Sequence, residues 1–218
     1  MPARKTVRPT VRRSRTSVRP TDAGSEAPLI WVPRRLFFTS GVGTHETQRA
    51  AMQRAMRDAG VADCNLVKVS SVIPPACEII SRTAGLRALR AGGITHAVIA
   101  EGETNEPHQR VTPAICWAQP SDPDLPGYMT EVDEDRTKGR SPKTATDEAG
   151  EALLTIIAEK LGVRLDARKA WSNRGRTGRV RIGRMAWQVG SVSASAVGPE
   201  ADDGQSRYAT AAVLGIFV

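Results

Sequence analysis

Several things are missing from this chain of 218 residues, and each absence closes a class of function. Its three cysteines, Cys64, Cys77 and Cys116, show no Cys-x-x-Cys or Cys/His spacing, so neither a disulfide framework nor a zinc site is expected. No apolar run approaches the roughly 20 residues that a membrane-spanning helix needs. Arg12-Arg13 and Arg34-Arg35 are not followed by the apolar stretch of an export signal, so the expected compartment is the reducing cytoplasm, without membrane contact. The P-loop, the Gly-x-Gly-x-x-Gly fingerprint, the Gly-x-Ser-x-Gly elbow and the His-Glu-x-x-His helix are all absent, which removes the common catalytic templates.

Positive charge is abundant but unevenly placed. The net charge is +8, yet residues 1–35 hold nine basic side chains against Asp22 and Glu26, leaving residues 36–218 almost balanced. Residues 1–28 repeat a loose unit (Thr6-Val-Arg-Pro-Thr10, Ser17-Val-Arg-Pro-Thr21) and contain no aromatic side chain. Such a segment buries too little apolar surface to offset its backbone entropy, so it reads as a disordered basic arm preceding a single domain over 29–218. A second basic strip, Arg164–Arg184, has eight basic residues, one acid and Trp171. It reads either as a solvated hairpin or as an RNA-binding strip with a stacking Trp. Nucleic acid is not the expected partner, because the balanced remainder carries the chemistry.

Within the domain, Arg35–Thr39 reads as a strand, Ser40-Gly-Val-Gly43 as a loop, and Thr44 to Gly60 as a helix with Met52, Ala55, Met56 and Ala59 on one face. Arg49, Gln53 and Arg57 form an i, i+4 row on its flank. Asn65–Ser70 alternates like a strand that Pro74-Pro75 must stop. Ile94–Ala100 is a strand, Glu101–Thr104 a turn, and Ala114–Ala118 and Tyr128–Val132 are two strands of one sheet. Residues 135–146 are a loop, Thr146-Asp147 caps a helix that stops at Gly162, and Tyr208–Val218 is a terminal strand. The class is strand-rich α/β (α+β) with two principal helices.

One stretch is more specific than the rest: Asn65-Leu-Val-Lys-Val-Ser70-Ser71-Val-Ile-Pro74-Pro75. A serine hydroxyl held against the preceding carbonyl can attack it and turn an amide into an ester, provided that the peptide is bent and donors meet the oxyanion. This stretch resembles the self-cleavage segment of the pyruvoyl-dependent arginine decarboxylases. The resemblance continues through Gly43, Glu46-Thr47 and the helix to Gly60, then through Gly102-Glu103-Thr104, Gly127 and Glu131. It covers about residues 35–162 and recovers weakly in the terminal strand. It implies an αββα sandwich of the pyruvoyl-dependent histidine/arginine decarboxylase type, cleaved between Ser70 and Ser71. Ser71 would be the attacker and Asn65 would assist. Elimination and hydrolysis would then leave a pyruvoyl group at residue 71, with no pyridoxal phosphate and no metal.

The resemblance further implies a Schiff base between that ketone and the amine of a small amino-acid-like substrate, loss of carbon dioxide, and Glu131 as general acid, in polyamine metabolism. Active sites would lie between subunits of a homotrimer or a dimer of trimers. Glu131 taken alone reads as an exposed edge carboxylate. Gln53 stands where the family places an acid that pairs with the substrate guanidinium, and a neutral amide cannot supply a charge-assisted bidentate bond. Gln53 is therefore the candidate substrate-binding residue, and arginine is expected to be a poor substrate. The competing class is an unprocessed, non-enzymatic relative that binds a polyanion or a partner through the basic arm and strip.

Overall fold

The first strand, β1 (Arg35–His45), runs straight through the glycines expected to form a loop, and helix α1 (Gln48–Ala59) begins only after it. The glycines serve packing. A Cβ at Gly41 would stand 2.2 Å from the Ala55 carbonyl oxygen, and one at Gly43 would stand 2.3 Å from that of Ala51. The backbone of α1 lies directly on the strand there, with Ala51, Ala55, Met56 and Ala59 buried beneath it. Gly60, at φ 81°, closes the helix by donating its N–H to the carbonyls of Arg57 and Met56. The computed structural model describes residues 31–174, 178–200 and 207–218, so the arm expected over 1–28 lies outside the described residues.

Later elements follow in the order β2 (Asn65–Lys68), β3 (Val72–Ile73), β4 (Glu78–Ile79), α2 (Arg82–Ala88), β5 (Ile94–Thr104), β6 (Arg110–Val111), β7 (Ala114–Pro120) and β8 (Gly127–Val132). After a short 3-10 turn at Glu134–Thr137 come α3 (Pro142–Lys160), α4 (Ala167–Ser172), β9 (Arg179–Ile182), β10 (Met185–Ser193), β11 (Ala196–Val197) and β12 (Tyr208–Phe217). Two five-stranded sheets result, ordered β2-β5-β12-β1-β4 and β3-β8-β7-β10-β9.

Three apolar layers hold these sheets between helices. Phe37, Ala55, Ala59, Leu214 and Ile216 pack between the first sheet and α1. Leu36, Ile73, Val98, Ile115, Met129 and Val213 pack between the sheets. Leu153, Leu154, Ile157, Trp171 and Trp187 pack between the second sheet and α3 with α4. Neighbouring residues of one strand serve different layers, Leu36 and Phe37 in β1 and Val213 and Leu214 in β12, as the twofold period of a strand requires. The result is the αββα sandwich.

Three local expectations are corrected. Glu101–Thr104 is not a turn, because β5 continues through it opposite β12 as far as the Thr104/Ala209 pair. Gly102 marks a close approach there, since a Cβ would stand 2.4 Å from Thr137 Oγ1. The long helix is capped by Ser141 followed by Pro142, not by Thr146-Asp147: Ser141 Oγ accepts the Thr144 N–H at 3.1 Å. Trp171 is fully buried under α3 with the Arg174 guanidinium 3.9 Å from its ring, so it offers no stacking platform. The described part of the strip is a short helix and a β9–β10 hairpin with Arg179 and Arg181 exposed.

Candidate active site at the crossing between the sheets

Residues 69–71 carry the chain from one sheet to the other. The Val69 N–H still donates to the Ala97 carbonyl (3.0 Å), extending the β2–β5 pairing. Three residues later Val72 lies opposite Tyr128 in the second sheet. Pro74 and Pro75 end β3, and the turn behind them is closed by the Cys77 N–H on the Pro74 carbonyl (3.2 Å).

This crossing brings together groups distant in sequence. The Ser71 hydroxyl donates to Glu131 Oε1 at 2.6 Å in a part-buried setting. The Ser71 carbonyl accepts the Met129 N–H at 2.8 Å, and the Ser70 carbonyl accepts the Val72 N–H at 3.0 Å. Glu131 is not an exposed edge carboxylate: it is half-buried in β8, lies opposite Ile115 of β7, and its own carbonyl accepts from Arg136 Nη2 at 2.6 Å. Lys68 Nζ stands 3.7 Å from Asp133 Oδ2, tying the end of β2 to the end of β8.

The thiols are poor competitors for the nucleophile's role. Burial pushes Cys77 up to about 11 and Cys116 up to about 12, so both remain protonated at neutral pH.

The other candidates lie elsewhere. Asn65 begins β2, where its Nδ2 donates to the Gly92 carbonyl at 2.7 Å, and three rises of about 3.3 Å separate it from Lys68. Gln53 is exposed on the outer face of α1, in an open groove of about 460 Å³ lined by His45, Thr47, Arg49, Arg54 and Arg57. A separate cleft of about 280 Å³ is acidic, with Glu101, Glu103, Glu106, Glu134 and Asp135 around it. Burial holds the Glu101 carboxyl above its ordinary value, the nearby Lys68 partly offsets this, and Glu103, Glu134 and Asp133 add to it. Sequence reasoning missed the donors on Ser70 and Ser71, because backbone N–H groups carry no residue-type signal. It also missed the Lys68–Asp133 tie, whose partners lie on different sheets.

Comparison with known proteins gives one family. The profile of the pyruvoyl-dependent arginine decarboxylases matches residues 35–218. The chain belongs to this family. The match includes the Arg164–Arg184 strip, for which the sequence reading found no counterpart. A pyruvoyl-dependent arginine decarboxylase of Methanococcoides burtonii is 39% identical over 145 residues, covering 66% of this chain and 79% of that protein. Pyruvoyl-dependent arginine decarboxylase 2 of Methanosarcina acetivorans is 38% identical over 143 residues (66% and 76%), and the Nitrosopumilus maritimus protein of the same family name is 36% identical over 146 (67% and 78%).

A family named in this way consists of carboxy-lyases whose prosthetic group is a pyruvoyl made from a serine of the chain. The residues around Ser71 fit such an origin. Its hydroxyl has an acceptor, its carbonyl has a donor, and the neighbouring Ser70 and Val72 are exposed where the chain would part. Among the described residues no helix is long and apolar enough to cross a membrane, and no three His, Cys, Asp or Glu side chains are grouped to hold a metal ion.

Proposed function

We propose that this protein is a self-processing pyruvoyl-dependent amino-acid decarboxylase whose chain breaks between Ser70 and Ser71. The observation that carries this reading is the 2.6 Å hydrogen bond from the Ser71 hydroxyl to Glu131, which couples a nucleophile to a base across the crossing between the sheets. Glu131 takes the hydroxyl proton as Ser71 Oγ bonds to the Ser70 carbonyl carbon. The Ser70–Ser71 C–N bond then breaks, and its nitrogen is protonated, leaving an ester. Elimination releases the Ser70 carboxylate, and hydrolysis of the resulting dehydroalanine liberates ammonia and leaves the pyruvoyl at residue 71. The contact supports a part for Glu131 in processing, before the proton donation to substrate that the resemblance implies.

The pyruvoyl group supplies a ketone for the substrate amine and an electron sink as carbon dioxide departs. The Met129 N–H would hold the carbonyl flanking it, and Glu131 would stand ready to deliver a proton. Cleavage would leave β1 hydrogen-bonded to β12 along its length and β2 paired with β5, so the fragments would stay together in one fold.

The relatives are named for arginine, but the groove at Gln53 carries three arginines and no carboxylate. This supports a substrate whose side chain ends in a neutral or anionic group. We assign Gln53 to that recognition and Asn65 to assistance in cleavage. Both stand apart from Ser71 within one chain, and Val67 and Val72 near the crossing are exposed. These features support a homotrimer, or a dimer of trimers, in which a second copy completes the site. Three free cysteines support a reducing, cytoplasmic setting.

A denaturing gel with intact-mass analysis tests the reading directly. Two fragments divided at Ser70/Ser71 are expected, the larger without a free amino terminus. A single 23.4 kDa chain with an ordinary serine at 71 would instead favour a binding protein. Carbon dioxide release from a panel of amino acids tests the substrate class, and light scattering of the purified protein tests the assembly.

A further inference from the structure

Attack by Ser71 places negative charge on one atom, the Ser70 carbonyl oxygen, and among the described residues a single backbone donor meets that atom. The Val72 N–H lies 3.0 Å from it. The bond spans residue i to i+2 around Ser71, whose φ is not positive, so it closes an inverse γ-turn on the serine that would react.

The reason this N–H is available lies in the register of β3 against β8. The Met129 N–H donates to the Ser71 carbonyl, and Val72 lies opposite Tyr128. That pattern makes Val72/Tyr128 a non-hydrogen-bonded pair, in which each residue turns its own N–H and C=O away from the other strand. Because β3 is the edge of its sheet, no strand among the described residues lies on the far side to claim the N–H. A shift of one residue would turn the Val72 N–H into the ladder and strip the donor from Ser70.

We propose that the backbone N–H of Val72 is the oxyanion donor of the self-cleavage reaction, held in place by the edge register of β3. The proposal rests on the self-processing reading given above. As the Ser71 Oγ lone pair forms the new bond to the Ser70 carbon, the carbonyl π pair moves onto the Ser70 oxygen, and Val72 donates to the charge that develops there. When the intermediate collapses, that pair re-forms the carbonyl and the C–N bond breaks, its electron pair remaining on the Ser71 nitrogen. The proton that Glu131 accepted passes to this nitrogen. No oxidant, reductant or second reactant is needed. The donor is the backbone N–H, and the Val72 side chain is 47% exposed.

The decisive experiment replaces the amide of residue 72 by an ester, through incorporation of the α-hydroxy analogue of valine during cell-free synthesis, and follows cleavage over time by intact mass. Fragments ending at Ser70 should appear roughly a hundredfold more slowly than from the unaltered chain, the usual cost of one oxyanion donor. Val72→Pro removes the same N–H without breaking a ladder bond and should also slow cleavage. Circular dichroism against uncleaved Ser71→Ala checks that the slow variants are folded. Cleavage of the folded ester or proline chain at the unaltered rate overturns the proposal and leaves self-processing intact. An unaltered chain that never cleaves overturns both.

Discussion

Two surfaces bear the polar side chains that the sequence marks out, and they differ in what those side chains touch. At the crossing between the sheets, the Ser71 hydroxyl, the Glu131 carboxylate and the Ser70 and Ser71 carbonyls all have partners within 3.0 Å inside one chain. On the outer face of α1, the side chains of Arg49, Gln53 and Arg57 make no hydrogen bond or ion pair with another described residue. A reaction of a chain with itself needs its atoms already in contact, and folding supplies that. Recognition of an incoming molecule needs donors left open, and a solvated groove supplies those.

The comparison breaks most decisively at Ser71. Ser71→Ala should abolish cleavage, leaving one 23.4 kDa band on a denaturing gel, and two bands would remove the crossing from the chemistry. Glu131→Gln comes next. Loss of a positioned base costs about a hundredfold to ten-thousandfold, so cleavage followed by gel should slow by that order. An unchanged rate would make the contact incidental.

The groove answers to a gentler change. Gln53→Asp should raise kcat/KM for arginine about ten- to a hundredfold, since one charge-assisted hydrogen bond contributes roughly 1.5–3 kcal/mol. An identical value in a carbon dioxide release assay would place the groove outside the substrate's path. The smallest effect belongs to the acidic cleft. Glu101 is held above its ordinary value, so the folded state binds its proton more tightly than the unfolded state does, and stability falls as pH rises through that window. Glu101→Gln should therefore raise Tm at pH 8 and leave it nearly unchanged below the ordinary carboxylate range, a difference that paired thermal melts would show.

Much of the sandwich was legible in the sequence for identifiable reasons. β12 is buried on both faces, so Ala-Ala-Val-Leu-Gly-Ile-Phe reads as a continuous apolar run. Ala55, Met56 and Ala59 recur at helical spacing and are buried, as is Ala51, in whose place the spacing pointed to Met52. What was lost turned on glycine and on capping. Gly41, Gly43 and Gly102 resemble loop residues in a one-dimensional reading, yet each sits in a strand because another element presses against it. Thr146 looked like a cap, but its hydroxyl donates to the Pro142 carbonyl inside the helix. At the site, Ser70 and Ser71 are neighbours in a recognisable segment. Glu131 lies 60 residues away, and no spacing rule would join it to Ser71 without a known family pattern. Trp171 misled because an aromatic among arginines resembles a stacking platform until its burial is seen.

β12 lies between β5 and β1, so the middle of the first sheet is built from residues 208–217. A ribosome therefore delivers Ser70 and Ser71 long before it delivers the strand that organises the sheet feeding them into the crossing. Maturation timed by this arrangement would wait for synthesis to reach β12, and a nascent chain stalled before residue 208 would carry its serines intact.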